Sequence, residues 1–227
     1  MLNKKIIILL CFSLLYQIPL LSKSNSFDKI NSQNLSKYFS GIVAFENEDN
    51  SKALDFFQSS KILLSQHDPY LERFVISLVL ENKVDQAINF IKINKKKSNS
   101  KFFEAYILLS LDSIKKGRID DALKVLGEVT ENFKKDRLDF IILNTLKDYL
   151  SVFKNKKIQN EFKNFGDLSF ISETFQRCYL DDENTGSSFL KLIQNDRADY
   201  SRYIYFYLTY LIERNQINEA KEITNDI

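Results

Sequence analysis

The stretch IKKGRIDDALKVL (114–126) runs from an apolar helix end, through a polar turn, into a second helix that carries Ala122. FENEDNSKALDFF (45–57), LENKVDQAINF (80–90) and IERNQINEAKEI (212–223) follow the same plan. Ala53, Ala87 and Ala122 are spaced by 34 and 35 residues. A period near 34 is what a chain of helix–turn–helix units produces. Such units bury one face against their neighbours and leave an elongated surface, which suits binding better than catalysis.

Working outward, composition supports the same class. In 227 residues there are two prolines, Pro19 and Pro69, and five glycines. So few helix breakers predict an all-α chain. The hydrophobic content of 44% with 27% charge lies outside the disordered regime. Residues 1–24 hold three of the 32 bases and none of the 30 acids, so the remainder is almost neutral. That leaves no electrostatic case for nucleic acid. The basic runs Lys95–Lys97 and Lys154–Lys157 read as solvated turns.

Lys4 and Lys5 precede an apolar run from Ile6 to Leu21, and the small polar residues Ser22, Ser24 and Ser26 follow. A basic head, an apolar centre and a small-residue end predict a signal peptide over 1–24 and a flexible linker over 25–34. Export into a bacterial periplasm is the expectation. The run is short and interrupted for a membrane span of about 20 residues. An uncleaved leader is the alternative, and it would make the protein an inner-membrane-anchored assembly factor. Cys11 lies inside the apolar run, not at its end where a lipid-modified cysteine belongs. Without the leader Cys178 is the one cysteine left, read as a buried thiol, with pairing to a partner as the other reading.

Each unit has a helical stripe. Leu35, Tyr38, Phe39, Ile42, Val43 and Phe45 recur at three- and four-residue steps before the first turn. Gly41 on this helix and Ala53 on the next are expected to let two backbones approach. Asp68-Pro69 opens the second unit, since Asp caps helices and Pro is accepted at the first helical position. Asn82, Gly117 and Asn215 stand five residues ahead of Ala87, Ala122 and Ala220, and Asn and Gly accept the left-handed backbone that ends a helix. Val84, Ile119 and Ile217 are expected to pin these turns to the core.

On these residues the chain resembles the tetratricopeptide repeat family, over 35–66, 69–97, 102–132 and 201–227. Ala53, Ala87, Ala122 and Ala220 match the alanine of that family's second helix, Gly41 its small first-helix residue and Phe57 its aromatic. Val75, Ser110 and Leu208 replace the small residue in the other units, so the repeats are degenerate. The resemblance implies an α-solenoid of antiparallel helix hairpins in a right-handed superhelix. It sets three repeats over 35–132, diverged helical hairpins over 133–200 where the period fails, and a final, incomplete repeat over 201–227. In the diverged part, Asp136–Phe153 reads as a long helix, 158–165 as a shorter piece, and Gly166-Asp167 as a break.

In that family geometry the first helix of each pair lines the concave face. The candidate partner-binding groove is then Tyr38, Ile42, Phe45, Arg73, Ile76, Ile107, Tyr205 and Phe206, with Glu72, Lys115 and Glu213 beside them. Such a surface suits a protein or extended peptide. The aromatic run YSRYIYFYLTY (200–210) surrounds its helix, so it offers both packing rings and outward anchors.

No phosphate loop, glycine-rich turn or Cys/His ligand spacing occurs, and His67, the single histidine, precedes a helix start. Paired acids such as Asp120-Asp121 read as helix-start charge. These features point to no catalytic residue, no metal and no cofactor, and to a scaffold, not an enzyme. The alternative is the α-superhelical platform of a cell-wall lytic enzyme without its catalytic domain. The last helix ends without a polar cap, which suggests either a longer solenoid or a partner covering that end.

Overall fold

The computed structural model describes residues 32–96, 98–158, 165–194 and 201–225, and among them the protein is all α-helical, with no strand. The helices are α1 (Ser32–Glu46), α2 (Asn50–Ser59), α3 (Pro69–Leu80), α4 (Val84–Asn94), α5 (Phe103–Lys115) and α6 (Ile119–Gly127). They continue as α7 (Val129–Asn132), α8 (Leu138–Asn155), α9 (Asp167–Leu180), α10 (Thr185–Ile193), α11 (Ile204–Glu213) and α12 (Ile217–Asn225). The chain divides into two compact units, residues 1–70 and 71–227. The expected leader, and residues 25–31 of the expected linker, lie outside the described residues. Among those described, no helix is long and apolar enough to cross a membrane.

One turn geometry recurs five times. Glu48, Asn82, Gly117, Asp181 and Asn215 all have φ between 57° and 70°. In each turn the left-handed residue donates its N–H to the carbonyl three back, as from Asn82 to Val79 at 2.9 Å. The next residue donates to the carbonyl five back: Asp49 to Ala44, Lys83 to Leu78, Arg118 to Ser113, Asp182 to Arg177 and Gln216 to Leu211, at 2.8–3.1 Å. These two bonds define the Schellman reversal, which satisfies carbonyls that the ending helix leaves open. Five residues after the left-handed position stand Ala53, Ala87, Ala122, Gly186 and Ala220; the four alanines are all buried. Twelve residues before those stand Gly41, Val75, Ser110, Thr174 and Leu208, all buried except the half-buried Leu208.

Within 133–200, read as diverged helical hairpins, α9 and α10 form one hairpin through the turn at Asp181. Gly186 precedes Ala220 by 34 residues, so α9 and α10 form a pair in register with α11 and α12. The match is hidden because Asp stands where three other pairs have Asn or Gly, and Gly where Ala stands. The long helix predicted near 136–153 is α8, ended by left-handed Lys156, whose N–H reaches Val152 O at 2.8 Å. The shorter piece predicted over 158–165 falls mostly outside the described residues. Gly166, at φ 64°, opens α9.

Two smaller expectations are corrected. Residues 32–34 of the predicted linker already belong to α1: Ser32, Gln33 and Asn34 form a polar first turn, which an apolar stripe starting at Leu35 does not mark. Val84 and Ile217 are exposed, and only Ile119 packs against a core cluster. The closure bonds are backbone bonds, so these turns hold without an apolar pin. At Gly41 the nearest neighbours of an added Cβ are Phe57 and Phe56.

That last contact organises the first unit. A Cβ on Gly41 would lie 2.8 Å from Phe57 Cε1 and 3.3 Å from Phe56 Cβ. The Phe57 ring is fully buried, with Tyr38 at 5.6 Å and Tyr70 at 6.4 Å between ring centres. Tyr70 donates its hydroxyl to Phe57 O, and burial raises its pKa. In the second unit Tyr106, Leu126, Phe140 and Leu143 anchor one cluster, and Phe189, Tyr207 and Leu211 another.

Three stability outcomes follow. Gly41→Ala gains about 0.5–1 kcal/mol of helix propensity, but a ring with no room to move makes overpacking of about 1–3 kcal/mol the larger effect. Urea unfolding of that variant should show a net loss of about 1 kcal/mol or more; equal or greater stability refutes the close seat. Glu48 holds a left-handed conformation that costs a side-chain-bearing residue about 1 kcal/mol. Glu48→Gly should therefore stabilise by about that amount, and Gly117→Ala, where a Cβ meets nothing within 4 Å, should cost as much.

Candidate binding groove

Two first helices, α3 and α5, are held against the second helix between them. Phe74 of α3 packs edge-on to Phe90 of α4 at 4.8 Å. Lys92 of α4 reaches Asp112 of α5 at 2.7 Å. Asp112 is buried and also binds Lys116 at 2.6 Å, and these two lysines hold its carboxyl below the usual range. Because α4 fixes both, the remaining faces of α3 and α5 enclose a pocket of about 200 Å³.

Its walls are Val75, Ile76, Val79 and Leu80 from α3, and Phe103, Glu104, Ile107 and Leu108 from α5. All but Glu104 are apolar. Leu80 remains 47% exposed at the rim, so the pocket opens to solvent. Phe103 and Glu104 also belong to a larger recess of about 570 Å³, which adds Glu72, Lys101, Phe102, Asn132, Phe133, Lys134, Arg137 and Asp139. Tyr106 meets Phe133 edge-on at 5.5 Å and accepts a hydrogen bond from Asn132 Nδ2 at 2.9 Å, which steadies the recess floor. Arg137 is paired with Asp139 at 2.6 Å. Burial pushes the Glu72 carboxyl up, as do the charges of Glu104 and Asp139, while Arg73 works against them.

Of the residues expected to line a groove, Ile76 and Ile107 come together in the apolar pocket, and Arg73 lies on α3 beside Glu72. Tyr38 is corrected: it is 2% exposed, with its ring 4.7 Å from His67 and packed on Phe57. It sits three residues before Gly41, on the face that meets α2, so its ring turns inward. Ile42 and Phe45 are half-buried on α1. That helix instead exposes Phe39 and Val43, which line a separate open recess with Phe56. Lys115 and Glu213 are exposed at the ends of α5 and α11.

The aromatic run of α11 is mostly packing. Tyr207 is buried and stacked on Phe189 at 5.4 Å, and Phe206 meets Phe175 edge-on at 5.2 Å while remaining 46% exposed. Tyr205, 72% exposed, is the outward ring of the group. Cys178 is half-buried, and burial raises its thiol pKa.

Val75, Val79, Leu80, Phe103, Glu104 and Leu108 are groove residues that the sequence reading missed. Helical spacing could have found Phe103, four before Ile107, and Val79, three after Ile76. Compared with protein-family models, with curated proteins and with solved structures, the chain finds no match in any of the three.

Proposed function

We propose that this protein is a non-enzymatic helical-repeat scaffold that binds a segment of another protein along its first-helix faces. In this reading its pairs stack as a degenerate tetratricopeptide-like α-solenoid, and the leader directs it to the bacterial cell envelope. The observation that carries the binding role is the apolar pocket where Ile76 and Ile107 meet across α3 and α5. A concave, solvent-open apolar site beside charged groups accepts an extended peptide or one face of a partner helix. The five like turns support the repeat reading, because they set small residues at one register in every pair.

A photo-crosslinking side chain placed at Ile76 should capture a defined protein partner in envelope extract. Leu80→Lys should abolish that capture while leaving helical content and melting unchanged, since Leu80 sits at the rim and a lysine suits a helix C-terminus. Equal capture by both proteins refutes a binding role for this groove. Mass spectrometry of the protein purified from its source should give an N-terminus near residue 25; retention of Met1 would instead support the anchored form.

A further inference from the structure

We infer that the outer face of α11 binds a second copy of this chain, the two α11 helices lying antiparallel about a twofold axis with Arg202 of each against Glu213 of the other. This face shares no residue with the lining of the α3–α5 pocket, so the inference does not depend on the groove. From Ile204 to Ile212 the one residue that is neither aliphatic nor aromatic is Thr209. A helix apolar on all sides is normally buried on all sides. Here Tyr207 and Leu211 enter a core, whereas Tyr205, Phe206 and Ile212 each stay at least 46% exposed. Ile217, just across the turn, is exposed beside them in sequence.

The order of charge along this face selects the occupant. Positions 202, 205, 206, 209, 212 and 213 are linked by three- and four-residue steps, the spacing of one helix face. The stripe therefore carries a base at its start, rings and an aliphatic chain in its middle, and an acid at its end. Arg202 and Glu213 are both exposed, and among the described residues neither belongs to an ion pair. Arg214 is engaged by Asp181 instead. The two free charges are 11 residues apart, three helical turns or about 16 Å. Antiparallel pairing sets base on acid at both ends, and parallel pairing sets like on like. A second copy supplies both complements at once, because a twofold interface uses every contact twice. The rings are already held: Phe206 lies edge-on to Phe175 at 5.2 Å and to Tyr205 at 5.7 Å. Burying side chains that are already ordered costs less entropy. One helix face is smaller than a standard interface, so the dimer is expected to dissociate in the micromolar range.

The test is sedimentation equilibrium of the purified protein from about 1 to about 200 µM, which should show a reversible monomer–dimer equilibrium. Arg202→Glu and Glu213→Arg should each raise the dissociation constant about tenfold, because each reversal opposes like charges at two symmetric sites. Tyr205→Ser should weaken the dimer about as much through lost contact. An equimolar mixture of the two reversal variants should associate as tightly as the wild type. The double variant Arg202→Glu, Glu213→Arg should do so by itself, a recovery that damage to the fold cannot mimic. A monomer at every concentration overturns the inference and leaves the face to a different protein. A dimer indifferent to these substitutions overturns it too, as does failure of both the mixture and the double variant to recover association.

Discussion

One left-handed residue per helix pair sets the geometry on which the rest depends. At Glu48, Asn82, Gly117, Asp181 and Asn215 the backbone leaves the helix, and two short hydrogen bonds close the reversal. Because the turn consumes so few residues, the next helix starts at a fixed distance from the last. The small side chain five positions on then stands at the same register in each pair. Burial of Ala53, Ala87 and Ala122 follows from that register. Bulk is excluded most tightly at Gly41, where a fully buried phenylalanine occupies the space a methyl group would need.

How legible this was depends on which residue bears the strain. Asn82, Gly117 and Asn215 announce left-handed backbone, because Gly has no Cβ and Asn tolerates the conformation. Glu48 and Asp181 hold the same φ without that announcement, and Asp181 concealed the register of the α9–α10 hairpin. All-helical content was legible from scarce breakers and three- and four-residue stripes. Tyr38 was misjudged because a stripe identifies a face without saying which neighbour it meets. Phe103 and Glu104 went unread as groove residues because the motif marks the turn and the helix crossing, far from the start of α5. The electrostatics of Asp112 lay beyond reach as well, because Lys92 comes from the previous helix pair, 20 residues away.

The groove is a product of the same constraint. The second helix α4 touches a first helix on either side, through Phe74–Phe90 and through Lys92–Asp112, and so spaces α3 from α5. A pocket appears where their side chains do not fill the gap. Its apolar lining gives affinity through the area removed from water inside.

The closures described for each reversal span only six residues. Contacts that close over such short chain lengths cost little loop entropy and form early. The search for the native state is therefore divided among neighbouring segments. An error in one reversal leaves the others free to complete, and insertions between pairs are tolerated far better than insertions within one.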